Sequence, residues 1–409
     1  MRSKRKEVFI INQRSKGVSL LVVILLIGFI MRSPITTPPL LLGHLANQLQ
    51  VHQSQLGILT TLPLVMFMLF SNFAAKPIMR FGLKRALLYA LLAIVLGSAL
   101  RMVMTMPTMI LGTIFIGIGI AHLNVFMPSL VSAYFPNKIG LYTTLYSFAM
   151  IFGNMLFNLI TAPISNQFGW QTIILILLLI PIISCLSWLL ISRVIPEKIA
   201  PGKPTTGDQG PQPKLRLWTN PKAWPFLLTF GGQATLSYTV TAWMPALMEY
   251  HHVSAGHAGI VMAIYAFIGL PVSIILPNIL TNLSQRYIKL LTIGAGLVAL
   301  VASGLLFFQH TRSMFYWSSE AFLIGLSIGF FFITIMTMFV MKTKTPYETA
   351  QLSGMAQAGG YCMSAFGPSL YGLAFAANPA GDIQNICYLI LALIMFLACW
   401  RVVKTETLD

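Results

Sequence analysis

One arginine lies deep inside the first long apolar stretch of the chain. Arg32 follows about fourteen mostly apolar residues, which is roughly 20 Å along a helix. A charge at this depth is costly and usually faces a cavity or a partner. A guanidinium can bind a carboxylate or a small inorganic anion through two parallel hydrogen bonds. We expect Arg32 to bind the anionic or electron-rich end of a ligand. The alternatives are extension to the membrane surface or pairing with a carboxylate, although no Asp or Glu occurs between residues 8 and 196.

A second arginine stands near the end of the third apolar stretch. Arg101 is within two helical turns of Pro107, where a long side chain can reach the membrane surface easily. Two roles stay open for it, an interfacial anchor and a residue of an outer anion pathway.

Uncharged polar and aromatic side chains in other apolar stretches are candidates for orienting a small ligand. Gln357 and Tyr361 are four residues apart and share a helix face. Ordinary hydrogen bonding between helices is the alternative for about half of such residues. The predicted substrate-binding residues are Arg32, Asn124, Tyr146, Gln233, Tyr238, Trp243, Gln357 and Tyr361.

Two titratable residues are candidates for proton coupling. His122 can titrate near neutral pH, although a hydrogen bond to a neighbouring helix is the simpler explanation. Glu320 lies slightly deeper in its span than the carboxylates at span ends, and it is the only carboxylate that we nominate for proton coupling. The Cys and His residues lack metal-ligand spacing, and no Gly-x-x-x-x-Gly-Lys-Ser/Thr loop occurs. We therefore expect no metal, no cofactor, no catalytic residues and no enzymatic activity.

The composition indicates the environment in which these residues act. Of 409 residues, 56% are hydrophobic and 9% are charged, and the mean hydropathy is +0.79. Soluble domains contain about 25% charged residues, so this chain is typical of a membrane protein that crosses the lipid bilayer several times. The net charge of +17 comes from basic residues in gaps between apolar runs. Nucleic-acid binding needs a basic face instead, and we do not expect it.

A membrane span needs roughly 20 mostly apolar residues. The sequence predicts an all-α fold of twelve transmembrane helices, at 18–42, 54–75, 84–104, 108–131, 140–162, 170–192, 222–249, 257–281, 287–309, 315–341, 348–376 and 383–402. With a cytoplasmic N-terminus, 23 of the 26 Lys and Arg residues fall on the inner side. This asymmetry predicts that both termini are cytoplasmic and that the chain resides in the inner membrane.

The polar residues between the sixth and seventh stretches divide the chain into two halves. We predict an N-terminal six-helix half with a basic tail at 1–192, a cytoplasmic linker at 193–221 and a C-terminal six-helix half at 222–409. Two halves of the same orientation imply a pseudo-twofold axis along the membrane normal. Such an arrangement predicts a binding site between the halves near the middle of the membrane.

Several segments carry a family resemblance. The loop Ala75-Lys-Pro-Ile-Met-Arg-Phe-Gly-Leu-Lys-Arg85 resembles the loop signature of the major facilitator superfamily. Ala75 replaces its first glycine and Met79 replaces its acidic residue, which puts the charge interaction of that acid in doubt. Met31-Arg-Ser-Pro34, Asn124-Val-Phe-Met-Pro128 and Leu352-Ser-Gly-Met-Ala-Gln-Ala-Gly-Gly-Tyr361 resemble the cyanate permease/2-nitroimidazole transporter family within it.

The resemblance implies a secondary active transporter that works by alternating access. We expect its substrate to be a small organic or inorganic anion or a small nitrogen-rich heterocycle. The alternative is a proton-driven multidrug or antibiotic efflux pump. A receptor would need a soluble output domain, whereas the longest polar segment here has about 29 residues. We expect a monomer whose partners are a small-molecule substrate, the bilayer and, as a candidate coupling ion, the proton.

Overall fold

The computed structural model describes residues 19–51, 56, 58–199, 217–379 and 381–407. Among these residues the chain forms helices and connecting turns, without a strand. The predicted basic tail and most of the predicted linker lie outside the described residues. The long helices are α1 (Ser19–Thr36), α2 (Ile58–Ser71), α3 (Leu83–Arg101), α4 (Met106–Tyr134), α5 (Ile139–Phe168), α6 (Gln171–Val194), α7 (Trp224–Tyr250), α8 (Ala255–Phe267 and Gly269–Asn282), α9 (Gln285–Leu305), α10 (Met314–Met341), α11 (Pro346–Ala377) and α12 (Asp382–Lys404). Shorter helical segments are Pro38–Leu41, Leu42–Leu49, Ala75–Phe81, Pro136–Lys138, Leu217–Thr219 and Leu306–Phe308.

The prediction of an all-α fold with twelve spans is confirmed. Within the described residues, nine helices are long and apolar enough to cross a membrane, and the tenth span is α2 with Ala75–Phe81, which bend by 57°. The other two, α7 and α11, are less apolar because they carry polar residues such as Gln233 and Gln357. Lipid cannot satisfy such side chains, so these two helices need protein neighbours.

The chain folds as two compact units. Among the described residues, unit 1 comprises 19–66, 76–127 and 145–199. Its helices approach closely at small residues: a Cβ on Gly97 of α3 would lie 2.5 Å from the carbonyl oxygen of Gly112 of α4. Likewise, a Cβ on Gly28 of α1 would lie 2.7 Å from the carbonyl oxygen of Tyr146 of α5. Small residues at such contacts let membrane helices pack backbone to backbone.

Among the described residues, unit 2 comprises 67–75, 128–144 and 217–407. Its α7 and α11 are in close contact, since a Cβ on Gly231 would lie 2.9 Å from the Cα of Gly360. Helix α11 begins with a capping box: Glu348 N donates to Thr345 Oγ1 at 3.2 Å, and Thr345 N donates to Glu348 Oε2 at 3.3 Å. The cap satisfies backbone donors at the first turn and so defines where α11 starts. The predicted domain borders and membrane orientation stay predictions.

Candidate functional site

Helix α1 is interrupted at the predicted substrate-binding arginine. The regular helix gives way to a turn at Met31 and Arg32, and Arg32 has φ −126° and ψ −47°. A short helical turn then begins, in which Ile35 N and Thr36 N donate to the carbonyl of Arg32 at 3.0 and 3.1 Å. Pro34 has no N–H to continue the hydrogen bonding of the preceding turn. The Arg32 side chain is half-buried at this break.

The second arginine stabilises this broken region. Pro38 has no N–H, so the carbonyl of Pro34, four residues earlier, loses its helical donor. Arg101 Nη1 of α3 donates to that carbonyl at 2.6 Å, and Arg101 Nη2 donates to Thr113 Oγ1 of α4 at 2.8 Å. The Arg101 side chain is only 3% exposed, so the interfacial anchor is excluded. Its part in an anion pathway stays a prediction.

The other predicted residues of unit 1 lie on α4 and α5. His122 and Asn124 are half-buried on α4, and His122 Nδ1 lies 2.8 Å from the carbonyl oxygen of Ile118 in the same helix. The His122 ring also packs edge-on against Phe126, with centroids 5.5 Å apart. Tyr146 is buried, and its backbone touches α1 one turn before Arg32, at Gly28. The structure therefore brings Tyr146 to the same stretch of α1 as Arg32.

The predicted residues of unit 2 lie on the packed pair α7 and α11. Gln233 and Gln357 are buried, and Tyr238 is half-buried. The Tyr361 ring is 3% exposed and lies between Phe230, at 5.1 Å, and Phe67, at 4.9 Å between centroids. Its ring therefore has a packing role whatever its hydroxyl binds.

Trp243 is held in one orientation on α7. Its Nε1 donates to the carbonyl of Pro368 of α11 at 2.8 Å, and its ring lies 6.0 Å from Tyr371 and 5.2 Å from Phe375. Gly372 makes room for the indole, because a Cβ there would collide with it. These rings form a flat apolar surface on the packed pair of helices.

Glu320 lies close to Tyr388, which belongs to a group of tyrosines that the sequence did not reveal. Its side chain is fully buried on α10, and neither carboxylate oxygen has a hydrogen-bond partner among the described residues. Tyr388 of α12 is close enough to interact electrostatically with Glu320, Tyr265 and Tyr371. Tyr371, Tyr388 and Trp243 also line a small cavity of about 20 Å³. The sequence feature that could have indicated this group is a tyrosine inside an apolar stretch, because a buried phenol hydroxyl usually needs a hydrogen-bond partner.

Glu197 provides a carboxylate beside the loop between α2 and α3, in which Met79 replaces the acidic residue of the signature. Gly82, with φ 79°, brings the start of α3 against residues 197–199. Burial raises the pKa of Glu197, and the backbone amides of Ile199, Lys84 and Leu83, with the Lys84 charge, oppose that shift. Lys84 Nζ donates to the carbonyls of Ser192 and Ile195 at 2.6 and 2.9 Å. The acid comes from beyond α6 and so was not visible in the local motif.

No metal centre emerges from the described part of the chain, where no three His, Cys, Asp or Glu residues come close enough to hold an ion. The described residues of the candidate site offer guanidinium, amide, phenol and aromatic groups to a ligand, with one buried carboxyl group at Glu320.

Comparison with known proteins identifies the family. The chain matches the family model described as Major Facilitator Superfamily over residues 19–368. It is 31% identical to the 2-nitroimidazole transporter of Escherichia coli K12 over 91% of this chain and 92% of that protein. It is 22% identical to the cyanate transport protein CynX of the same organism, over 87% and 89% of the two chains.

A solved structure shows the same fold. The proton:xylose symporter XylE aligns with a TM-score of 0.72 at 14% sequence identity, over 94% of this chain and 95% of that one. The multi-pass helical fold and the family match agree over most of the chain. The chain therefore belongs to the major facilitator superfamily of membrane transporters.

Proposed function

We propose that this transporter is a secondary active transporter, working by alternating access, that moves a small organic or inorganic anion or a small nitrogen-rich heterocycle across the cytoplasmic membrane. Arg32 is its principal binding residue. The observation that carries this proposal is the placement of two arginines at the break in α1.

The charge balance of unit 1 favours a substrate with negative or electron-rich character. Arg32 and Arg101 are membrane-embedded cations, and no Asp or Glu occurs between residues 8 and 196. Arg101 is bonded to Pro34 O and Thr113 Oγ1, which explains its burial without a carboxylate. Arg32 stands at a half-buried turn beside that support. A guanidinium held on a braced backbone is suited to bidentate binding of a small planar anion.

The names of two relatives agree with this substrate class. One is named for a nitroheterocycle, 2-nitroimidazole, and the other for cyanate, a small inorganic anion. Both are small and carry electron-rich oxygen or nitrogen atoms. The aromatic wall at Trp243 and Tyr371 in unit 2 is suited to the flat part of a heterocycle.

Substrate binding can be tested through Arg32 without presuming the direction of transport. We expect cyanate or 2-nitroimidazole to raise the melting temperature of the purified wild-type protein, because a ligand that binds only the folded state stabilises it. Arg32→Ala and Arg32→Lys should both lose this shift and the transport in proteoliposomes. Arg193→Ala, which removes an exposed arginine near the end of α6, serves as the matched control. Unchanged transport by folded Arg32→Ala would refute the site.

Proton-driven efflux of drug-like molecules is the second candidate, and Glu320 is the observation that favours it. A carboxyl group buried without a hydrogen-bond partner among the described residues is costly when charged, so its neutral, protonated form is favoured there. Such a group can load and release a proton when its surroundings change. His122 is the corresponding candidate in unit 1.

A pH gradient imposed on proteoliposomes distinguishes the two candidates. If Glu320 couples protons, wild-type transport should follow the gradient, and Glu320→Gln should transport without responding to it. Transport by the wild type that ignores the gradient would exclude proton coupling while leaving the Arg32 site intact.

A further inference from the structure

Two histidine rings meet where the end of α7 packs against the connection between α9 and α10. His251 follows the last residue of α7, and its ring centroid lies 5.4 Å from that of His310, at an interplanar angle of 84°. The His251 ring also lies 6.0 Å from the ring of Trp317, in the first turn of α10. Trp317 is fully buried, and its Nε1 donates to the carbonyl of Thr311 at 2.9 Å. These contacts join the α9–α10 connection to the end of α7.

The surroundings of His251 favour its neutral form. The side chain is half-buried, and its Nε2 is buried with no hydrogen-bond partner among the described residues. Burial lowers the pKa of His251, and the charges of His310 and His252 lower it further. His310 and His252 are themselves exposed and so accept protons from water.

The other titratable groups on the surrounding elements do not compensate for a charge on His251. Glu249 of α7 and Arg312 of the connection are exposed, so water and salt screen their charges. Tyr250 packs edge-on against His251, with centroids 5.1 Å apart, and a phenol is uncharged below about pH 10. Glu320, further along α10, is fully buried, and its favoured protonated form carries no charge. The charges that act on His251 are therefore those of the two neighbouring histidines.

We propose that the His251–His310 contact is a pH-sensitive switch, which holds the α9–α10 connection on the end of α7 when both rings are neutral and releases it when both are protonated. Two imidazolium rings at this distance repel each other, and burial disfavours the charge on His251. With the predicted orientation, this end of unit 2 faces the outside of the cell. The switch therefore responds to external pH, and it depends neither on Arg32 nor on the substrate.

Proton linkage gives the direction of the response. A histidine whose pKa is lowered on folding binds fewer protons in the packed state than in the released state. The contribution of His251 to the contact is therefore complete above its ordinary pKa of about 6.5, and it is lost as pH falls through the lowered folded-state pKa. Acid should loosen the connection while the rest of unit 2 stays folded.

Hydrogen–deuterium exchange of the purified wild-type protein tests the proposal, at about pH 7.5 and about pH 5 with correction for the intrinsic pH dependence of exchange. The reporters are the amides of Thr311 and Trp317, which donate to the carbonyls of Gln309 and Ser313. We expect the protection of both amides to fall several-fold at the lower pH. A peptide from the middle of α10 should keep its protection.

Histidine variants identify the groups responsible. His251→Phe keeps an aromatic ring but cannot be protonated, so its protection should be the same at both pH values. His310→Gln should reduce the response, and because His310 is exposed, this variant keeps the test available if His251→Phe does not fold. His257→Gln is the matched control, since it removes an exposed histidine from the start of α8 and should respond like the wild type.

Three outcomes would overturn the proposal. The first is equal protection of the wild type at both pH values. The second is a full pH response in folded His251→Phe or in His310→Gln. The third is a response that disappears in EDTA and returns with Zn²⁺, because a metal ion shared by two imidazoles would then explain it.

Discussion

Replacing Arg101 by Ala should destabilise unit 1 because it removes the donor for a carbonyl that proline leaves without one. In the folded protein the guanidinium reaches Pro34 O at 2.6 Å and Thr113 Oγ1 at 2.8 Å, and it is almost fully buried. Thr113 Oγ1 keeps its own bond to the carbonyl of Met109 at 2.7 Å. The main loss is therefore at Pro34, whose carbonyl would remain buried without a donor.

The size of the effect follows from these two bonds. Hydrogen bonds to charged groups contribute about 1.5–3 kcal/mol each, although bonds between membrane helices average nearer 0.6 kcal/mol. Removing a buried cation also removes its desolvation cost, which offsets part of the loss. We expect Arg101→Ala to lower the free energy of unfolding by about 2–4 kcal/mol. For a domain of 150–250 residues this corresponds to a decrease in melting temperature of roughly 5–15 °C.

A double-mutant cycle in a thermal unfolding assay isolates the proposed cause. Pro38→Ala restores a backbone N–H that can reach the Pro34 carbonyl, so Arg101→Ala should be less costly in that background. Arg85→Ala, exposed on the same helix, should change the melting temperature by no more than about 1 °C. An Arg101→Ala protein as stable as the wild type, or the same loss in both backgrounds, would refute the reasoning.

Three further substitutions address other parts of the two units. Lys84→Ala should lower the melting temperature by several degrees through the loss of its bonds to two carbonyls at the end of α6, and an unchanged melting temperature would contradict this role. Burial raises the folded-state pKa of Glu197. The contribution of this carboxyl group to stability is therefore complete below its ordinary pKa of about 4.3, and it is lost as pH rises through the folded-state pKa. Glu197→Gln should therefore become more stable relative to the wild type as pH rises. A difference in unfolding temperature between the two proteins that stays constant from about pH 4 to pH 7 would contradict this prediction. Gly372→Ala should displace the Trp243 indole and shift its fluorescence, and an unaltered spectrum would show that α11 tolerates the added methyl group.

The helices could be predicted from the sequence because twelve apolar stretches each have the length that a bilayer requires. The interruption of α1 could also be inferred from the sequence, because Pro34 and Pro38 have no backbone N–H to donate a helical hydrogen bond. The role of Arg101 as the replacement donor could not be inferred, because Arg101 lies on another helix. The position of Arg101 near the end of a span suggested that its side chain reaches the membrane surface. Its burial against α1 depends instead on how α1, α3 and α4 pack together.

In the candidate site, too, single residues could be chosen from the sequence, whereas contacts between distant helices could not be predicted. Gln357 and Tyr361 could be chosen because polar groups stand out in an apolar helix. Tyr388 of α12 lies close enough to Glu320 of α10, Tyr265 of α8 and Tyr371 of α11 to interact with each electrostatically, and only folding brings these groups together. Glu197 was overlooked for the same reason, because it reaches the start of α3 from beyond the end of α6.

The contact between α7 and α11 determines which distances in unit 2 can change. Because the Gly231 and Gly360 backbones leave no room for a side chain between them, we expect α7 and α11 to move as one packed pair. Spectroscopic labels on the exposed positions Thr241 of α7 and Leu373 of α11 would therefore keep a constant separation through the transport cycle. Such a pair provides an internal distance standard, against which movements of other helices can be measured in the same molecule.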